Sequence, residues 1–135
     1  MERQKGPENV RPGRRILIVD DNVDAADSLA AILRLGGHEV NTAYFAADAL
    51  DMAAQTREIE VFILDIGLPE MNGYELAQKL RELPHTANAL LIALTGYGQD
   101  ADRQRAYNAG FDSHCTKPIE FDVLNQILVK SKGRR

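Results

Sequence analysis

Five polar residues stand where short candidate strands end, and their types could together carry out phosphoryl chemistry. Asp20 and Asp21 follow Ile16-Leu17-Ile18-Val19, and Asp65 follows Val61-Phe62-Ile63-Leu64. Thr95 closes the apolar run 89–94, and Lys117 follows the short run 112–116. Three carboxylates brought to one place repel one another unless a cation lies among them. Hard oxygen ligands of that kind suit Mg2+, which keeps several waters and commonly uses one or two carboxylates plus a phosphate. A carboxylate held beside such a cation and an ammonium can attack phosphorus and become an aspartyl phosphate. Hydroxyl and ammonium donors meet the charge that develops on the phosphoryl oxygens, roles open to Thr95 and Lys117.

Taken singly, each residue has a plainer reading. Asp20 and Asp21 suit the start of a helix, where acids cap free N–H groups. Asp65 could simply open a turn with Gly67, Pro69 and Gly73, Thr95 could cap a helix, and Lys117 could be a solvated lysine. The joint reading is the stronger one only if the chain brings all five together.

The elements between them say that it does. The run 16–19 is short, β-branched and apolar throughout, as in a strand buried on both faces. From Val23 to Leu35, the residues Ala26, Leu29, Ala30 and Leu33 form a helical stripe that Gly36-Gly37 ends. A more polar strand is expected over 38–44, then a helix carrying Ala46, Ala49, Leu50 and Ala53. The run 61–64 repeats the first strand's character, and after the turn 68–73 Leu76, Leu80 and Leu83 mark a third helix. A third apolar strand at 89–94 is followed by a polar helix over 100–109, a short polar strand over 112–116, and a last helix lined by Phe121, Leu124 and Leu128.

Alternating strands and helices imply a parallel sheet covered on both faces. The three wholly apolar strands belong in its centre and the two mixed ones at its edges, which the flavodoxin-like order 2-1-3-4-5 satisfies. That order reverses between the first and third strands, and ligands of such sheets bind at the reversal, beyond the carboxyl ends of the strands. The five polar residues are all expected there.

At 135 residues the chain fits one domain, read as a single body over 15–131 between a Gly/Pro-rich linker at 1–14 and a basic tail at 132–135. A net charge of -4 offers no general attraction to nucleic acid or anionic membrane. The single cysteine, Cys115, excludes an internal disulfide and reads as a packed small hydrophobe. No apolar run approaches the ~20 residues of a membrane span. The expectation is a cytoplasmic protein. His38 and His85 read as surface residues, and Asp100, Asp102, Arg103 and Arg105 give the fourth helix either a solvated face or a weak homodimer contact.

The runs Ile16-Leu17-Ile18-Val19-Asp20-Asp21-Asn22, Leu64-Asp65-Ile66-Gly67-Leu68-Pro69-Glu70-Met71-Asn72-Gly73, Leu94-Thr95-Gly96-Tyr97 and Thr116-Lys117-Pro118 resemble, in order and spacing, the signatures of response-regulator receiver domains. The resemblance covers roughly residues 15–130. It implies that Asp65 is the phosphoacceptor, and that Asp20, Asp21, Asp65 and the Gly67 carbonyl hold Mg2+. It further implies that Thr95 and Lys117 contact the phosphoryl group and that Lys117–Pro118 is cis. The implied partner is a histidine kinase or histidine phosphotransfer domain, and the implied activity is acceptance and slow hydrolysis of the phosphoryl group, not turnover of a separate substrate.

Receivers usually place an aromatic residue on the fifth strand where this chain has His114, so a switch role is shared between Thr95 and His114 on this reading. The alternative for His114 is a half-buried edge residue. Gly96 leaves the acceptor open, and Tyr97 beside it could shield the phosphoryl group or equally be a solvated loop residue. The runs Thr95-Gly96-Tyr97-Gly98-Gln99 and Ala109-Gly110-Phe111-Asp112 are most similar to receivers of hybrid sensor histidine kinases.

Two other uses of these residues fit less well. A haloacid-dehalogenase-type phosphohydrolase places its two acids as Asp-x-Asp after the first strand, whereas this chain has adjacent Asp20-Asp21 there and Asp65 on the third. A flavodoxin-like flavin binder needs a phosphate-cradling loop after the first strand, and two acids would repel that phosphate.

Overall fold

A computed structural model describes residues 13–56, 58–96 and 103–130. The expected alternation is present as β1 (Arg15–Val19), α1 (Val23–Leu35), β2 (Glu39–Ala43), α2 (Ala46–Gln55), β3 (Val61–Asp65), α3 (Gly73–Glu82), β4 (Leu90–Thr95), α4 (Arg103–Ala109), β5 (Ser113–Thr116) and α5 (Phe121–Lys130). The strands form one sheet in the order β2-β1-β3-β4-β5. All four pairings are parallel. This is the flavodoxin-like (βα)5 sandwich, with the reversal at β1 and β3.

The register explains why the central strands are apolar without a break. Successive side chains of a strand point to opposite faces, so a strand covered on both sides needs apolar residues at every position. Leu17, Val19, Phe62, Leu64, Leu91 and Ala93 join the core shared with α2 and α3. Ile16, Ile18, Val61, Ile63, Ile92 and Leu94 join the core shared with α1 and α5. Burying a Leu, Ile, Val or Phe side chain contributes about 1.5–3 kcal/mol, so the two layers hold the site from both sides of the sheet.

Local signals set the helix ends next to the site. Asn22 caps α1 by accepting the Ala25 N–H, 3.0 Å. At the far end Gly37 takes φ 96°. Its N–H reaches the Arg34 carbonyl, and the His38 N–H reaches that of Leu33. These two bonds make a Schellman stop that a glycine permits at little cost. Asn72 and Glu75 form a reciprocal capping box at the start of α3, a device whose cap residue contributes about 1 kcal/mol.

Two expectations need correction. Arg14, which ends the segment read as a linker, is buried. Its Nη1 donates to the Leu128 carbonyl at 2.8 Å, so it belongs to the packed body. His38, read as a surface residue, is only partly exposed, and its Nδ1 accepts the Arg14 N–H at 3.0 Å. In both cases the partner comes from a distant part of the chain, which no local pattern announces. The start of the helix expected over 100–109 and Tyr97 lie outside the described residues, and the helix is described from Arg103.

Candidate functional site

The carboxyl ends of β1, β3, β4 and β5 bring the sequence-predicted residues together. Asp20 is buried just beyond β1, Asp65 is the last residue of β3, and Thr95 the last of β4. Asp20, Asp21 and Asp65 each offer a carboxylate oxygen within 4.8 Å of the others. Asp21 is exposed, while Asp20 and Asp65 are buried, so the cluster faces solvent through one acid.

Lys117 supplies the opposing charge. Its Nζ lies 3.3 Å from Asp20 Oδ2 and 3.4 Å from Asp65 Oδ1. The Lys117 backbone N–H donates to the Thr95 carbonyl at 2.8 Å, extending the β4–β5 pairing up to the site. The Lys117–Pro118 peptide is cis, as the resemblance implies.

Backbone donors orient the acids. The Gly67 N–H donates to Asp65 Oδ1 at 3.1 Å, and the Asn22 N–H donates to Asp20 Oδ1 at 3.0 Å. The turn after β3 is itself pinned, because the Ile66 N–H reaches the Leu94 carbonyl and the Gly73 N–H reaches the Ile66 carbonyl. Gly73 has no room for a larger residue. A Cβ there would lie 2.7 Å from the Asp65 carbonyl oxygen and 2.8 Å from Ile66 Cα.

The electrostatics are those of an acidic crevice with one lysine beside two of its acids. Burial first, and then the nearby Asp20 charge, push the Asp65 carboxyl above its ordinary value against the opposing pull of the Gly67 N–H and Lys117. Burial alone would lower the Lys117 ammonium, but Asp65 and Asp20 more than reverse this and raise it. Lys117 therefore stays charged, and the crevice has one firm cation against two close acids.

The remaining residues take secondary places. The Thr95 hydroxyl is buried and donates to the Cys115 carbonyl on the neighbouring strand at a long 3.5 Å. His114 is half-buried on the edge strand β5, one of the two readings expected of it. Cys115 is packed in the core, where burial pushes its thiol up.

Sequence reasoning missed Arg81. Its guanidinium donates to the carbonyls of Ala87, Ala89 and Gly110 and to Asp112. It thereby ties the end of α3 to the chain entering β4 and β5. An arginine in the last turn of an amphipathic helix reads as solvated, and nothing local distinguishes this one.

An acid triad with a lysine paired to two of its members, at the switch point of a doubly wound sheet, defines a class of acidic-crevice α/β domains. A family model, the response regulator receiver domain, matches residues 16–129. The chain belongs to the response regulator receiver domain family. An uncharacterised 14.6 kDa protein from the sodA1 3' region of Leptolyngbya boryana is 40% identical over 106 residues, covering 78% of this chain and 79% of that one. The sensor histidine kinase RcsC of Escherichia coli K12 is 34% identical over 113 residues, covering 84% of this chain. This chain spans only 12% of that kinase's length. The crystal structure of the receiver domain of sensor histidine kinase PA1611 from Pseudomonas aeruginosa PAO1, with a magnesium ion coordinated in the active site cleft, superposes with a TM-score of 0.78. It is 28% identical to this chain, and the match covers 88% of this chain and 99% of that one.

Proposed function

We propose that this chain is a phosphoacceptor switch in which Asp65 takes a phosphoryl group from a histidine kinase or a histidine phosphotransfer domain. The observation that carries the reading is the Lys117 ammonium held 3.3 and 3.4 Å from Asp20 and Asp65 at the sheet's switch point. The donor set fits Mg2+: three carboxylates within 4.8 Å of one another, all hard oxygen ligands. Asp20, Asp21 and Asp65, with the Gly67 carbonyl, are the ligands assigned here. When bound, Mg2+ offsets the charge of the acids and of the incoming phosphoryl oxygens.

In the transfer, a carboxylate oxygen of Asp65 forms a bond to phosphorus as the P–N bond of the donor phosphohistidine breaks. The bond's electron pair leaves with the imidazole nitrogen. Lys117 then pairs with a phosphoryl oxygen, and the Thr95 hydroxyl leaves the Cys115 carbonyl to donate to another. The added charge of roughly -1.5 to -2 favours the conformation in which these contacts are made, and His114 on β5 follows Thr95. Phosphotransfer and slow self-dephosphorylation are the only chemistry assigned to the chain. It acts in the cytoplasm, through protein contacts and without binding nucleic acid or membrane, as one packed body that includes Arg14.

Intact mass after incubation with acetyl phosphate, Mg2+ and, separately, a cognate kinase tests this reading. The expected result is one hydroxylamine-labile adduct of about 80 Da on the wild type and none on Asp65→Ala. An adduct that persists on Asp65→Ala would move the chemistry elsewhere, and no adduct from either donor would leave a receiver used only for contacts.

A further inference from the structure

Tyr74 stands one residue past the glycine that closes the β3–α3 turn orienting Asp65, and its ring contacts Arg105 of α4. Gly73 is seated against the backbone of Asp65 and Ile66, and its N–H is bonded to the Ile66 carbonyl at 2.9 Å. The next residue, Tyr74, is half-buried and packs on the core layer under α3 and α4. Its ring meets Phe111 edge-on, with centroids 6.4 Å apart and planes at 77°. The guanidinium of Arg105, on α4, lies over the same ring at 4.1 Å from its centroid. Phe111 is buried in the segment between α4 and β5.

We propose that Tyr74 is a positioning residue that couples the acceptor turn to α4, clamped by the Arg105 guanidinium above and the Phe111 ring beside it. The inference rests on the reading of Asp65 as phosphoacceptor. A displacement of the turn when Asp65 is loaded moves the first turn of α3, because the Gly73 N–H is bonded to the Ile66 carbonyl. Tyr74 then either carries Arg105 and Phe111 with it or gives up both contacts. Aromatic edge contacts and cation–π contacts are each strong enough to bias a two-state helix position. The route runs through α3 and α4 and does not require an aromatic residue on β5, where this chain has His114. Coupling of this kind is reciprocal, so a change on α4 must be felt at Asp65.

Hydrogen exchange of α4 with and without beryllium fluoride and Mg2+ tests the proposal on the full chain, in wild type, Tyr74→Phe, Tyr74→Leu and Arg105→Ala. Tyr74→Phe keeps the ring and is expected to keep the ligand-linked change in α4. Tyr74→Leu and Arg105→Ala are expected to lose at least half of it, and to shift the beryllium fluoride midpoint two-fold or more. Arg105 is exposed on α4, so Arg105→Ala carries the test if Tyr74→Leu does not fold. A full α4 response in Arg105→Ala, or an α4 that does not respond in a wild type that forms the acetyl phosphate adduct, overturns the coupling. A wild type without any adduct overturns the phosphoacceptor reading instead, so the two failures are separable by mass.

Discussion

At the residue scale, the crevice disfavours the charged form of Asp65. Burial and the Asp20 charge raise the Asp65 carboxyl, so the native state binds that proton more tightly than the unfolded chain does. Between the ordinary carboxyl value and the raised native one, stability therefore falls as pH rises, and above both the cost is constant. Asp65→Asn removes that charge while keeping the shape. In EDTA at neutral pH it is expected to melt a few degrees higher than wild type, on the scale of roughly 2–8 °C per kcal/mol for domains of this size range. Adding Mg2+ should then raise the wild-type melting temperature more than that of Asp65→Asn, since only a ligand bound to the native state stabilises it. A wild type that is the more stable of the two in EDTA would mean that the Lys117 pairing outweighs the repulsion. The acids, Thr95 and Lys117 were legible in the sequence because each sits at a position that strand periodicity defines. Arg14, His38 and Arg81 were not, because a polar residue's partner is set by which distant carbonyl or ring the fold brings near.

At the element scale, what matters is how closely α3 is seated on β3. The start of α3 could be read from Asn72-Gly73-Tyr74-Glu75, a cap residue followed three positions later by a glutamate. That Gly73 is also a contact point could not, since a turn glycine and a glycine forced by a neighbour look alike in sequence. A Cβ at Gly73 meets the Asp65–Ile66 backbone, at 2.7 and 2.8 Å, and backbone cannot swing aside. Gly73→Ala is expected to destabilise by about 1–3 kcal/mol, the range for overpacking. It should also slow adduct formation at Asp65, because the turn that presents the Gly67 N–H must shift. Gly36→Ala is the control. Its nearest contact would be 3.4 Å, and its effect should stay within about 0.5 kcal/mol. Urea midpoints and adduct rates for both variants decide this, and equal effects at the two glycines would remove any special role for the α3 seat.

At the scale of the whole molecule, the order of the sheet was legible because a wholly apolar strand must be central and a mixed one must be an edge. The other end of the sheet, away from the crevice, was not legible, since it is closed by contacts between remote segments. There Arg14 reaches the Leu128 carbonyl of α5 and pairs with Glu60 before β3. Its backbone N–H is bonded to His38 before β2. The His38 ring must be neutral to accept that hydrogen, and burial first, then the Arg14 charge, hold it below its ordinary value of 6.5. A group whose native value is depressed contributes stability that is full above the unfolded value and is lost as pH falls through the native one. Wild type should therefore lose stability from just above pH 6.5 downward more steeply than His38→Gln, whose amide oxygen can accept the same hydrogen without titrating. Denaturant midpoints at pH 7.5 and pH 5.0 measure the difference between the two proteins. Parallel midpoints would show that the ring protonates without breaking the Arg14 contact, and that the closure of this end rests on the guanidinium alone.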